Sequence, residues 1–355
     1  MIEKLVRREV NEACSYPETA LPCTIKMDSN ENEWGLPGDI CRLLEEGVKD
    51  FPFHRYPDSD CTGLREKLGH YTGVPAKNLM VGNGSDELIR YVVDTFVGSA
   101  DKVVIPNPAF SMYGFFVSLA GGVVVTVEPG ESLNIDAERV AKAARDQRAK
   151  VVFLCNPNNP TGGVLSEGEI RMIVEGAPGI VVVDEAYYEF YGRTAIDWIE
   201  EYPNLVVLRT MSKAMALGGL RVGYLAAGDL LMDYLGRVKV PYNVGSFSQH
   251  VACRVLENRE AIDKWLETFR EVRDDFVEDL KGIDGVTVYP TLANFVLIKL
   301  NRAHRVWEAL FKKGILTRKY GEGILEDCLR ITICPPQQNR IFIEQLKEML
   351  GEVYA

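Results

Sequence analysis

The sequence predicts an α/β protein in two parts: a large domain whose mainly parallel sheet lies between helices, and a smaller α+β domain. Three observations predict it. Short valine-rich runs recur between residues 103 and 227, separated by helix-length amphipathic stretches. Residues 259–281 carry apolar side chains at 262, 265, 266, 269, 272, 276 and 280, the period of one long helix. After that helix the pattern changes to short strands alternating with two more helices.

Taken in order, the start "MIEKLVRREVNEAC" is amphipathic and charged and lacks the apolar core of a secretion signal. The runs "VVIP" (103–106), "VVVTV" (123–127), "VVFLC" (151–155), "IVVVD" (180–184), "LVVLR" (205–209) and "VGYLAA" (222–227) are apolar on both faces. They read as strands covered on both sides, hence a largely parallel sheet. Several run directly into polar residues, Asn156, Asp184 and Arg209, where ligands of open α/β sheets collect. Residues 103–127 hold no charge and are long enough to span a bilayer. Pro-Asn-Pro at 106–108 and Gly121-Gly122 instead cut them into strand, short helix and strand. Beyond the long helix come "VTVYP", "ANFVLIKL", a helix at 302–313, "CLRITI" and a terminal helix at 337–350. The expected organisation is residues 1–45 as an N-terminal arm and part of the small domain, 46–245 as the large domain, and 246–355 as linking helix and C-terminal small domain.

A net charge of −11 argues against a general nucleic-acid binder and against an anionic membrane surface, although a few local arginines suit a small anionic substrate. Eight cysteines without a CxxC pair and four scattered histidines give no legible metal cluster, and reduced thiols in a cytoplasmic protein are the economical reading.

Four stretches carry chemistry. In "RTMSKAMALGGLRVGYL" (209–225), Lys213 stands among small and apolar residues, with Arg221 eight positions on. An apolar setting disfavours an ammonium and readies the amine to attack a carbonyl, although an ordinary helix lysine that snorkels out reads the same. "NPNNPTGG" (156–163) makes a stiff loop after a buried strand, either a plain turn or a device aiming Asn159 at a bound ring. Asp184 ends a strand in "DEAYYEF", as a helix cap or as the partner of a protonated pyridine nitrogen, with Tyr187 in reach of the same ring's hydroxyl. "VGNGSDELI" (81–89) offers Gly84, Ser85 as an N-cap, and Asp86 at a helix start that can cradle a phosphate. Together they fit pyridoxal 5'-phosphate. Gly84-Ser85-Asp86 hold its phosphate from one side and Ser212 with Arg221 from the other. Asn159 and Tyr187 hold the phenolic oxygen, Asp184 the pyridinium, and Lys213 forms the Schiff base.

With "KMDSNENEWGLP" (26–37), "RYPDSDCTGLREKL" (55–68) and "CLRIT" (328–332), these motifs span nearly the whole chain. The chain resembles the fold-type-I pyridoxal-phosphate aminotransferases, and within them the histidinol-phosphate aminotransferase family. The resemblance implies the fold-type-I architecture and a cytoplasmic homodimer with shared active sites, and it implies transfer of an amino group between glutamate/2-oxoglutarate and histidinol phosphate/imidazole acetol phosphate in histidine biosynthesis. The implied partners are therefore a small-molecule amino donor and a keto acceptor, with no nucleic acid and no membrane. It also implies that Tyr113 stacks on the cofactor ring, that Tyr56 reaches the phosphate of the neighbouring subunit, and that Arg330, with Arg318 and Asn32 nearby, binds the substrate's acidic group. Lys319 stands where the family usually has an acidic residue, and Pro335-Pro336 where it usually has glycine; both are expected beside the substrate pocket. An aromatic aminotransferase, a threonine-phosphate decarboxylase and a non-enzymatic cofactor sensor are the competing functions.

Overall fold

The computed structural model describes residues 2–13, 21–49, 51–321 and 323–354. Cys14 lies outside the described residues. In chain order the strands are β1 (Ile25–Met27), β2 (Leu79–Asn83), β3 (Lys102–Pro106), β4 (Val123–Val127), β5 (Val151–Cys155) and β6 (Ile180–Asp184). Then follow β7 (Leu205–Thr210), β8 (Val222–Ala227), β9 (Val286–Val288), β10 (Phe295–Leu300), β11 (Ile315–Lys319) and β12 (Cys328–Thr332). Among the described residues they form a seven-stranded sheet, β2-β8-β7-β6-β5-β3-β4, and a five-stranded one, β1-β11-β12-β10-β9.

In the large sheet β4, β3, β5, β6 and β7 run parallel, and β8 lies antiparallel between β7 and β2. Strands β5, β7 and β8 are buried along their whole length, as their continuous apolar runs require. The run "VVVTV" departs from that expectation. It is an edge strand, paired among the described residues to β3 alone, and Val123 is exposed while Val127 is buried. The uncharged segment 103–127 resolves into β3, a helix Ser111–Leu119 and β4; no helix among the described residues is long and apolar enough to cross a membrane.

Parallel strands put their C-terminal ends on one side, so the loops after β3, β5, β6 and β7 collect there. The antiparallel β8 adds its beginning at the same edge, Asn83 pairing Val222 and Thr210 pairing Gly223. The residues just before β8 and just after β2 are thereby brought together, although they lie far apart in sequence.

The long helix Arg259–Lys281 buries Ile262, Leu266, Phe269, Phe276 and Leu280, with Trp265 and Val272 half-buried at its margins. Beyond it β10 and β12 pair antiparallel, and β1, from near the N-terminus, completes the small sheet by pairing parallel to β11. The chain after β1 then crosses to the large sheet, carrying Asp28, Ser29 and Asn30 into the space between the two sheets.

Candidate active site

A cavity of about 900 Å³ opens where the strand ends of the large sheet face the small sheet. Lys213 enters it three residues after β7 ends. Its neighbours Ala214 and Met215 are buried in the core, so the apolar run packs the backbone down while the amine reaches the cavity. Nζ donates to the Ser29 carbonyl at 2.9 Å. Burial first, and then the positive field of Arg330, lower its pKa to about 8.

Asp184, the last residue of β6, is buried at the cavity floor. Oδ2 accepts from the Tyr113 hydroxyl at 2.7 Å and Oδ1 from the Ala186 amide at 3.0 Å. Burial outweighs these two bonds and pushes its pKa up to about 6.

At one end of the cavity the helix Ser85–Phe96 begins. Its cap is Gly84, at φ +77°, and Ser85 is the first helical residue rather than the expected cap. A Cβ on Gly84 would lie 2.4 Å from Nη2 of Arg221, and one on Gly223 would lie 2.5 Å from the Ser85 amide. Only bare backbone lets this close approach form. Arg221 donates to the Asp86 carboxylate at 2.8 Å and to Ser212 Oγ at 3.4 Å. The side chain of Asp86 is therefore the counterion that sets the guanidinium, and no anion ligand itself. What remains free to meet an anion is a helix start, two serines and an arginine.

At the other end, Arg330 Nη1 donates to Asn159 Oδ1 at 2.6 Å, and Nη2 to the Asp28 carbonyl. Its Nε is buried without a hydrogen-bond partner. Arg318 stands directly opposite Arg330 in the β11–β12 register, and both line the cavity. Tyr187 is buried beside them; its hydroxyl accepts from Asn30 Nδ2 at 2.9 Å, and burial raises its pKa.

The structure thus gathers Ser85, Asp86, Asn159, Asp184, Tyr187, Ser212, Lys213, Arg221, Arg318 and Arg330 around one cavity, from motifs spread over most of the chain. Five further expectations are corrected. Tyr113 does not face the cavity: it is fully buried behind Asp184, stacked on Phe153 at 4.7 Å. Positions 113 and 117 form the inward face of the helix Ser111–Leu119, whereas Phe110, just before that helix, lines the cavity. Asn32 does not line it either; its amide donates to the Ala214 carbonyl at 3.2 Å and steadies the chain beside Lys213. Lys319 points away from Arg318, as successive strand residues must, and lies over the Trp307 ring at 3.8 Å. Pro335 and Pro336 lead into the terminal helix Pro336–Tyr354 and do not line the cavity. Arg209 is buried in β7 against Glu185 rather than placed at a ligand loop.

Phe110, Asn30 and the Ser29 carbonyl are site groups that sequence reasoning missed. "PAFSMY" offers two aromatics three apart, and only the point where the helix begins decides which one faces the cavity. "DSNENE" likewise offers asparagines at alternate positions, and only the fold of that segment selects Asn30. Tyr56 is 85 % exposed and stacks on Tyr242, outside the cavity of its own chain.

A family model described as aminotransferase class I and II matches residues 24–346. A histidinol-phosphate aminotransferase of Thermoanaerobacter sp. (strain X514) is 42% identical over 352 residues, covering 99% of this chain and 100% of that protein. One from Caldanaerobacter subterraneus subsp. tengcongensis is 42% identical over 353 residues, covering 99% and 100%. In fold, the chain is similar to the crystal structure of histidinol-phosphate aminotransferase from Sinorhizobium meliloti in complex with pyridoxal-5'-phosphate, with a TM-score of 0.90, 22% identity and 98% of each chain covered. The chain belongs to the class I and II aminotransferases.

Proposed function

We propose that this member of the class I and II aminotransferases binds pyridoxal 5'-phosphate and interconverts histidinol phosphate and imidazole acetol phosphate, with glutamate/2-oxoglutarate as the other pair. This is a step of histidine biosynthesis. The relatives that match end to end carry that activity in their names. The observation that carries the reading is the pair Arg318 and Arg330, in direct cross-strand register and lining the same cavity as Lys213. Guanidinium groups hold phosphate and carboxylate through the same parallel hydrogen bonds, so one pocket serves histidinol phosphate and glutamate in turn.

The residues present fit the cofactor. Its phosphate belongs at the Gly84-Ser85 backbone with Ser212 and Arg221, where a Cβ on Gly84 would leave no room for the guanidinium. Asn159 and Tyr187 would hold its phenolic oxygen and Phe110 a face of its ring. Asp184, a buried carboxylate lacking a cation, suits a protonated ring nitrogen. When bound, the cofactor supplies an aldehyde for Lys213 and an electron-accepting ring. Lys213 Nζ, with its pKa near 8, gives up its proton readily and is the base that takes the proton from the substrate's amine-bearing carbon.

The same reading gives a cytoplasmic homodimer in which exposed Tyr56 reaches the neighbour's cofactor phosphate. Seven free thiols among the described residues support the compartment. It divides the chain at about residues 45 and 245, with the arm 1–45 lending β1 to the small domain.

Loaded enzyme given histidinol phosphate should show the absorption change of amino-group uptake and release no carbon dioxide. A change with phenylalanine or tyrosine, but none with histidinol phosphate, would make it an aromatic aminotransferase. Carbon dioxide from threonine phosphate would make it a decarboxylase.

A further inference from the structure

We infer that Tyr113 is a positioning residue for the cofactor's ring nitrogen: its hydroxyl holds the Asp184 carboxylate ionised and aimed into the cavity. The inference rests on the cofactor reading above and assigns a role to a side chain that touches neither cofactor nor substrate.

The Tyr113 hydroxyl lies beside both the Cys155 thiol and the Asp184 carboxylate, and its short hydrogen bond runs to Asp184. Its ring is fully buried, parallel to Phe153 at 4.7 Å and 6°, and edge-on to Phe110 at 5.6 Å and 85°. Phe153 on β5 and Phe110 before the helix therefore fix the ring from two sides, and the hydroxyl reaches Asp184 Oδ2 at 2.7 Å. The direction of that bond is settled by chemistry. An ionised carboxylate only accepts, and burial raises the phenol's pKa well above its ordinary value, so the phenol keeps its proton and donates it.

The other groups facing Asp184 do not substitute for it. Cys155, on β5, is buried with its thiol directed to the Pro157 carbonyl at 3.2 Å, and its pKa is raised. Asp86 and Glu185 are carboxylates whose fields favour the protonated form of Asp184. The Ala186 amide holds Oδ1 but leaves Oδ2 to rotate and to take a proton. Donation from Tyr113 opposes both. It fixes the plane of the carboxylate and stabilises the charge that a protonated ring nitrogen needs opposite it. A donor to a charged buried acceptor is among the stronger hydrogen bonds, so its loss should change affinity for the nitrogen-bearing ring about tenfold.

The test pairs one substitution with two ligands. Tyr113→Phe removes the hydroxyl and keeps the stacked ring. The ligands are pyridoxal 5'-phosphate and its carbocyclic analogue, in which the ring nitrogen is replaced by CH. Dissociation constants are measured by titration of the apo-dimer. The expected result is a loss of about tenfold for pyridoxal phosphate with the analogue unchanged, because the analogue has no N–H for Asp184 to hold. On an Asp184→Ala background, Tyr113→Phe should cost nothing further with either ligand. Equal loss for both ligands would mean a packing role and overturn the inference. So would no loss with either, or a full tenfold loss persisting without Asp184. Wild-type protein that binds neither ligand would overturn the cofactor reading itself, a different failure from these.

Discussion

Two carboxylates stand next to each other at the end of β6 and meet opposite fates. Glu185 is 2 % exposed and fully compensated: Arg209 Nε donates to it at 2.9 Å, the Thr194 hydroxyl at 2.8 Å and the Ala195 amide at 2.6 Å. Arg209 in turn donates to Thr194 and lies over the Tyr188 ring at 3.5 Å. Asp184, one residue earlier, is equally buried but faces the cavity with a tyrosine, an amide and no cation. The pleat sends the two side chains to opposite sides of the chain. On one side the charge is balanced within the fold, so it belongs to the scaffold. On the other, Asp184 and Arg330 are buried and Lys213 is half-buried, with their charges uncancelled by one another, which is the condition of a site built for a charged guest.

The largest expected effect breaks the cavity side. Lys213→Ala should lower turnover by about 10⁴-fold, since it removes both the anchoring amine and the base. Borohydride should fix cofactor to the peptide carrying Lys213 in the wild type and nowhere in the variant; a label on another lysine would overturn its role. The next effect breaks the scaffold side. Arg209→Leu leaves Glu185 buried without a cation and should cost about 3–5 kcal/mol of stability, read as a lowered urea midpoint. Replacing Glu185 by Leu as well should recover much of that loss. A single variant as stable as wild type would show that the pair is not the compensated unit its geometry describes.

The asymmetry of the two sides also explains what was legible in the sequence. The strands, the long helix and the order of parts follow from valine runs and from the period of 262, 266, 269, 276 and 280, which are local patterns. Lys213, Asp184, Asn159 and Arg221 stood out because each sits in a loop or strand end of distinctive composition, whereas Arg330, in the middle of β12, followed only from the family resemblance. Arg209 and Asp184 look alike by that criterion, a polar residue at the close of an apolar run. They differ only in which side of the strand faces the cavity, and a run of continuous valine carries no alternation to reveal it. Tyr113 and Asn32 were misplaced for the same reason. In each case a neighbour of similar chemistry, Phe110 or Asn30, lies two or three residues away, and the choice depends on where a helix starts or a segment turns. Lys319 was misplaced by sequence adjacency to Arg318, although adjacency in a strand means opposite faces.

The smallest effect sharpens the comparison most, because it reads the cavity charges without any turnover. The pKa of Asp184 is raised to about 6 in the fold from an ordinary 3.8, so between those values the folded state binds more protons than the unfolded one. Stability of the apo-protein should therefore fall as pH rises from about 4 to 6. The pKa of Lys213 is lowered to about 8 from an ordinary 10.5, so from 8 to 10.5 the unfolded chain binds more protons and stability should rise with pH. Each shift corresponds to up to about 3 kcal/mol, and between the two limbs both buried charges are present and both costs are felt. The apo-protein should thus show a trough in melting temperature between about pH 6 and 8. Asp184→Asn should flatten the acid limb and Lys213→Ala the basic limb, each raising apo-stability near pH 7 while destroying activity. Arg209→Leu should lower the whole curve and leave the trough in place. Bound cofactor, presenting a cation to Asp184 and consuming the amine of Lys213, should fill the trough in the wild type. A trough that persisted in the Asp184→Asn, Lys213→Ala double variant would place the uncompensated charge elsewhere in the molecule, and the contrast between the two sides of β6 would no longer account for the site.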